Sequence, residues 1–328
     1  MASVILPLSL VAVVAVAFLS LAAGPTPVGV FSGLSDWLQG LNTPAAMVIG
    51  DIRLPRTLLA LAVGASLGLS GAALQGLLRN PLADPGLTGA SQGAALGAAA
   101  VFYFGLFPAA GEVAPAVAGL LGAGLALLLM LSLAGSARTS LVIMAGLAIS
   151  TLAGAALATV LNFAPNPFAM QELVFWLLGS VSERSLKHLG FLLPALLVGG
   201  ALIWRQRQLL VALSLGEQVA QSMGFALARG SRMIVLGTAL LVGASVAIAG
   251  NIGFVGLIVP HLVRPLVAHR PDRLLLPSAL FGAALVGLAD ICVRLLPPGR
   301  EIQLGVLTSL IGTPLFIWLI WKDRQRWL

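Results

Sequence analysis

Apolar residues along this chain gather into long runs broken only by short clusters of charge, proline and glycine. A helix needs about 20 consecutive apolar residues to cross the hydrocarbon core of a bilayer. Ten runs of roughly that length are present, at residues 4–23, 55–78, 87–107, 114–134, 140–162, 187–204, 232–250, 253–268, 274–296 and 303–321. The eighth is short and merges with the seventh through Gly250-Asn251-Ile252-Gly253, which leaves nine spans as the competing count. The pattern predicts an all-α polytopic membrane protein with about ten transmembrane helices, in a single transmembrane domain over residues 1–328.

Composition strengthens this reading. Of the 328 residues 59% are hydrophobic and 9% charged, against about 25% charged in a typical soluble domain. Too few charges remain to solvate an ordinary surface, which argues against a soluble enzyme, a disordered chain or a coiled coil. The single cysteine, Cys292, excludes an intrachain disulfide and a cysteine-cluster metal site. The formal charge of +7 is better explained by cationic loops on one membrane face than by nucleic acid.

Ten spans put both termini on one side. With that side cytoplasmic, the inner loops carry Arg79, Arg138, Arg205, Arg207, Arg229, Arg232, Arg264, Arg270, Arg273, Lys322, Arg324 and Arg326. The outer loops carry Arg53, Arg56, Arg184, Lys187, Arg294 and Arg300, so inside leads by twelve to six. Leu21-Ala22-Ala23-Gly24 has the look of a signal-peptide cleavage site. No Lys or Arg precedes Arg53, however, and a positive n-region is part of that signal.

Val63-Gly64-Ala65-Ser66 recurs as Val242-Gly243-Ala244-Ser245, and Gly71, Pro81 and Arg53 match Gly250, Pro260 and Arg232 at the same offset. The repeat relates span two to span seven, which run in opposite directions. Two inverted five-helix halves, about 1–165 and 187–328, are therefore expected, as in many transporters.

Catalytic constellations are missing. The three histidines, His188, His261 and His269, have no metal-ligand spacing, and no Gly-Lys-Ser/Thr phosphate loop occurs. Gly89, Gly93 and Gly97 have the four-residue spacing of helix packing. Asp290 and Arg294, four apart in span nine, are placed to pair along one helix face. Asp290 is the one acid inside a span, which weakens a proton- or sodium-coupled mechanism. The long polar segment 205–231 contains Leu215-Gly216-Glu217-Gln218-Val219-Ala220-Gln221-Ser222-Met223-Gly224. It predicts one or two short helices ended by Gly216 and Gly224, a shape suited to docking a soluble partner.

Several stretches together resemble the permease subunits of type II ABC importers (the FecCD type), which carry iron-siderophores, haem and vitamin B12. They are Arg53-Leu54-Pro55-Arg56, Arg79-Asn80-Pro81-Leu82-Ala83-Asp84-Pro85, Leu215-Gly216-Glu217 through Gly224, Gly250 through Arg264, Leu288-Ala289-Asp290, and Gly305 through Pro314. They run in the family's order from about residue 50 to the C-terminus.

The resemblance implies a homodimer in the bacterial inner membrane, served by two ATP-binding cassette subunits and a periplasmic substrate-binding protein. Both termini would be cytoplasmic. ATP and Mg would be held by the partner ATPases; this chain would carry no cofactor, no resident metal and no catalytic residue, and would bind no nucleic acid. Segment 213–224 would couple to the ATPase, through Leu215, Gly216, Glu217, Ser222 and Gly224; Gln218 stands where many relatives carry a second acid. Arg53, Arg56 and Arg294 would stand exposed on the outer face for the binding protein. Asn80, Leu82, Thr139 and Ser140 would form the cytoplasmic gate, and Thr308, Ser309 and Thr313 would line the pathway. The cargo expected first is a ferric siderophore, then haem or cobalamin. An ion-coupled secondary transporter is the alternative that the inverted repeat allows.

Overall fold

The computed structural model describes residues 2–104, 111, 113–134, 139–163, 167–296 and 302–327. Among these the chain is helical, with no strand. In order the helices are α1 (Ala2–Ala22), α2 (Val30–Leu38), α3 (Leu54–Leu78), α4 (Ala90–Phe104), α5 (Ala114–Ala134), α6 (Thr139–Asn162) and α7 (Pro167–Leu177). There follow α8 (Leu186–Arg205), α9 (Arg207–Ser214), α10 (Glu217–Ser222), α11 (Leu227–Ala249), α12 (Val255–Val263), α13 (Pro271–Arg294) and α14 (Leu304–Trp327). Seven helical stretches are long and apolar enough to cross a membrane, and three shorter apolar ones lie at Ala90–Phe104, Val255–Val267 and Leu304–Leu319. Together they fall on the ten apolar runs. The chain is a multi-pass membrane protein.

Two helices surround themselves with the others. In the stretch containing α3 and in α11, 78% of the apolar window is buried, against 22% in both α1 and α8. The central helices are packed through small residues, because backbones in lipid must approach closely to gain dispersion energy. The most extensive pairing sets α13 on α3. A Cβ added at Gly64 would lie 2.2 Å from the Gly282 carbonyl oxygen, and one at Gly68 would lie 2.1 Å from that of Ser278. The α4–α5 crossing works the same way, with Gly97 against the Ala118 oxygen and Gly122 against that of Gly93. The packing role read from the Gly93 and Gly97 spacing is thus present in the structure. We expect Gly68→Leu to force α3 and α13 apart, with loss of the monodisperse detergent-extracted species on fluorescence size-exclusion chromatography, whereas Gly124→Ala, where a Cβ meets nothing within 4 Å, should elute as the wild type.

Two helices escape the periodicity argument, α2 and α7, both shorter than a span. A π-helical stretch, Met47–Arg53, leads directly into α3. Its widened turn accommodates the Trp37 indole of α2 against bare backbone, since a Cβ at Gly50 would sit 1.9 Å from the ring.

Candidate functional site

The segment between α8 and α11 forms a short hairpin of helices. Leu215 caps α9, Gly216 enters α10 with φ +113°, and Gly224 follows its end with φ +87°. Both glycines adopt a backbone sign that an L side chain disfavours. Ala220 is buried and anchors α10, while Leu215, Val219 and Met223 are 64%, 41% and 58% exposed. Val219 and Met223, four apart along α10 and its C-terminal cap, share one face, and Leu215 is exposed in the turn that precedes Gly216. An exposed apolar stripe on a polar protrusion is the mark of a protein-binding surface. Gln218, Gln221 and Ser222 are also exposed.

Glu217 turns from this hairpin toward the loop after α3, where its carboxylate lies 3.8 Å from Arg79 Nη2. Arg79 ends α3 in the left-handed region, φ 51°, with its N–H donating to the Gln75 and Gly76 carbonyls. Asn80 accepts from the Leu82 N–H at 2.9 Å, so the loop is a tight Asx turn that leaves Leu82 47% exposed. Asp84 then caps the 3-10 turn Pro85–Thr88 by accepting from the Gly86 N–H at 2.7 Å. The α9–α10 hairpin and the Asn80–Leu82 loop are therefore neighbours. The side chains of Thr139 and Ser140 lie outside the described residues.

Burial pushes the Asp84 carboxyl above its ordinary value, and the Gly86 N–H pulls it partly back. A raised native pKa means that the ionised form opposes folding, so stability is greatest below the unfolded value of about 3.9 and declines as pH rises through the native one. Asn retains the capping oxygen without the charge. Asp84→Asn should therefore melt no lower than wild type at pH 7 and lose the wild type's rise in stability on acidification; Asp84→Ala should lose about 1 kcal/mol of cap.

A cleft of about 550 Å³ opens between α7, the α11–α12 connection and α14. Its lining is Leu177, Leu178, Asn251, Gly305, Val306, Ser309, Leu310, Thr313 and Pro314, without an ionisable or soft metal-ligating side chain. Three backbones meet at its base. The Asn251 N–H donates to the Leu177 carbonyl at 3.4 Å, the Ser180 N–H to Ala249 at 2.7 Å, and the Gly305 N–H to Gly179 at 3.3 Å. A Cβ at Gly305 would strike the Asn251 and Leu178 oxygens at 2.2 and 2.3 Å. Ser309 and Thr313, which the family resemblance marked as pathway residues, line this cleft. Thr308 does not: it is 8% exposed and donates to the Gly305 carbonyl at 3.1 Å. One residue along a helix turns a side chain by about 100°, which separates Thr308 from Ser309. Asn251 and the α7 wall were not singled out from sequence.

Arg53, Arg56 and Arg294 are placed differently from the exposed docking set that the sequence suggested. Arg53 is 4% exposed, and its guanidinium donates to the carbonyls of Leu21 and Ala22 at 2.8 and 3.0 Å and to that of Thr26. Arg294 donates to the Ser20 and Ala23 carbonyls and to the Ser20 hydroxyl, which also meets Thr57 at 2.6 Å. Both guanidiniums thus satisfy the orphan carbonyls at the C-terminus of α1, where the helix dipole favours a cation. Asp290, 1% exposed, pairs with Arg56 at 2.8 Å and with Arg294 at 2.9 Å. The Asp290–Arg294 pairing follows the four-residue spacing; the third member, Arg56, comes from α3. The four charges pin α1 to α3 and α13, leaving only Arg56 partly exposed, at 18%.

No group of three or more His, Cys, Asp or Glu that could hold a metal exists among the described residues. Apolar spans around an uncharged cleft, with a hairpin of short helices that exposes apolar side chains at one end, are the architecture of a multi-pass transport permease. The sequence profile of the FecCD transport family matches residues 12–322, and the chain belongs to that family. It is 38% identical over 297 residues to the vitamin B12 import system permease protein BtuC of Salmonella paratyphi A, covering 88% of this chain and 87% of that one. It is 37% identical over 316 residues to the hemin transport system permease protein HmuU of Yersinia pestis, covering 93% of each. A metal-chelate type ABC transporter solved in an inward-facing conformation superposes with TM-score 0.84 at 31% identity, over 98% of this chain and 100% of that one. PsaBC from Streptococcus pneumoniae, at 17% identity and TM-score 0.54, shares the fold. This chain is accordingly a permease of the metal-chelate, vitamin B12 and haem type of ABC importer.

Proposed function

We propose that this permease moves an intact metal chelate inward across the bacterial inner membrane by alternating access. A homodimer forms the pathway, two ATP-binding cassette subunits drive it, and a periplasmic binding protein loads it. The observation that carries this reading is the uncharged cleft beside α14. A chelate whose metal is already fully coordinated needs no ligand from the wall, and a wall of Asn251, Ser309, Thr313 and apolar residues lets it pass without being trapped. A bare-metal pathway would require the opposite.

The hairpin supports the ATPase partner. Leu215, Val219 and Met223 offer it an apolar stripe, while Glu217, paired with Arg79, joins the hairpin to the Asn80–Leu82 gate loop. Movement of α10 thereby reaches the gate through one ion pair and one tight turn. In the homodimer a second copy would cover part of the broad apolar faces left on α6 (Leu141, Met144, Leu147, Leu152) and α14 (Leu310, Ile311, Ile317), and lipid the rest. Ser309 and Thr313 would face the two-fold pathway, with Thr308 supporting them from behind. Cationic loops at the hairpin end support cytoplasmic termini.

Packing also supports two inverted halves. Gly64 of α3 meets α13, and its repeat mate Gly243 of α11 meets Ala123 of α5; span two on span nine becomes span seven on span four when the halves are exchanged. Ser66 and Ser245 each donate back to the carbonyl four residues earlier, at 2.8 and 2.7 Å. The correspondence fades at Gly71, inside a helix, whose mate Gly250 ends one.

Vitamin B12 and hemin are named for the relatives, and ferric siderophore is the broadest chelate class. Uptake of each by proteoliposomes containing the complex should single out one, with free ferric ion and free cobalt excluded. Saturable uptake of a bare ion would sink the intact-chelate reading.

A further inference from the structure

We propose that the permease carries a binding site for one anionic phospholipid, in a cleft at the hairpin end of the bundle. The cleft, about 460 Å³, opens where the start of α1, the end of α8, the start of α9 and the start of α13 converge. Leu6 and Leu276 form its apolar wall and are 37% and 41% exposed. Trp204, 44% exposed, lines it at the end of α8, and span ends are where indole rings collect in a bilayer. Such a wall suits the upper acyl carbons of a lipid.

Two cations complete the site. The Arg207 guanidinium lies 5.0 Å above the Trp204 ring and donates to the Trp204 carbonyl at 3.3 Å, so its plane is held before any ligand arrives. Arg273 lines the same cleft, is exposed, and its guanidinium makes no ion pair or hydrogen bond among the described residues. The one carboxylate in the lining, Asp272, is already held by Arg270 through two bonds of 2.9 and 3.2 Å. Asp272 therefore does not neutralise Arg207 or Arg273. Two available guanidiniums beside an apolar wall call for an anionic oxygen group carried on a hydrocarbon chain. Guanidinium forks match phosphate oxygens, and basic pockets between spanning helices on the cationic face are the usual seat of anionic headgroups. The volume suits a headgroup and its glycerol and is too small for a bulky chelate.

The site has a mechanical consequence. Arg207 opens α9, and α9 leads directly into the Leu215–Met223 stripe. A lipid bridging Arg207 and Arg273 would tie the base of the hairpin to α13. The inference needs only that the chain spans a membrane; it is independent of cargo and of the ATPase.

The test is native mass spectrometry of the full chain, delipidated in detergent and titrated with phosphatidylglycerol or phosphatidylcholine. Wild type should retain one phosphatidylglycerol per chain with at least about a tenfold preference over phosphatidylcholine. Arg273→Gln, which breaks no contact within the described fold, should reduce that preference several-fold, and R207Q/R273Q should abolish it. R205Q/R229Q, in a separate cleft between the α8–α9 junction and the start of α11, should keep it. Millimolar inorganic phosphate should not displace the lipid, because it lacks the chain that Leu6 and Leu276 hold. Equal binding of the two lipids by wild type, undiminished preference in both Arg273→Gln and R207Q/R273Q, or displacement by phosphate would each overturn the proposal.

Discussion

Replacing Asp290 by alanine should cost more stability than any other single charge removal in this chain. The carboxylate is 1% exposed and pairs with Arg56 and with Arg294, one of the two guanidiniums that hold the end of α1. Once it is gone, Arg56 and Arg294 face each other across the α3–α13 crossing with no counter-charge. Breaking a buried pair in this way costs about 3–5 kcal/mol, because the partner's desolvation is no longer repaid. Asp290→Ala should therefore lower the melting temperature sharply and reduce the amount of folded protein recovered from membranes. Asp290→Asn preserves shape but not charge, and should fall nearly as far. Adding Arg56→Gln to Asp290→Asn should recover part of the loss, since no isolated charge then faces Arg294. Asp272, on the exposed Arg270 pair, gives the contrast: Asp272→Asn should change stability by about 1 kcal/mol or less. An Asp290→Ala protein that melts with the wild type would refute the clamp.

The largest effect on transport should come from the hairpin, with no effect on folding. Val219→Asp and Met223→Asp put a charge on the exposed stripe without touching the buried Ala220 anchor. Both should insert and melt as wild type while losing at least about tenfold in ATP-driven uptake, because a desolvated unpaired charge at the partner interface costs about 2 kcal/mol or more. Glu217→Arg should also reduce transport with insertion intact: it replaces the attraction to Arg79, 3.8 Å away, with repulsion between the α9–α10 hairpin and the Asn80–Leu82 loop. Wild-type uptake and wild-type substrate-stimulated ATPase in all three variants would remove the hairpin from the coupling path.

The parts legible in the sequence are those that the bilayer itself dictates. Hydrocarbon thickness sets the length of each apolar run, so the ten runs and the structure's apolar helices coincide. Glycine spacing at Gly93 and Gly97 reports helix contact because only missing side chains permit it. The ends of the hairpin were readable from Gly216 and Gly224 for a similar reason. Pairing between distant elements was not readable. Asp290–Arg294 follows from four-residue spacing, but Arg56 lies 234 positions from Asp290 and no local pattern joins them. Arg53 and Arg294 were expected on the outer surface because the family resemblance implied a docking role; the structure turns both inward onto the carbonyls of α1. The α7 wall of the cleft was missed because eleven residues with mixed polarity satisfy neither a span nor a loop. Thr308 and Ser309 differ only in helix rotation, which requires knowing what surrounds α14.

The central claim is that this chain is the passive half of an ATP-driven chelate importer. Its most direct test is uptake by proteoliposomes holding the chain, its ATPase and its binding protein, with and without ATP on the ATPase side and with and without an imposed proton or sodium gradient. Uptake of one chelate that requires ATP and the binding protein and ignores the gradient is the predicted result. Uptake driven by the gradient in the absence of the ATPase would contradict it and make the chain a secondary transporter.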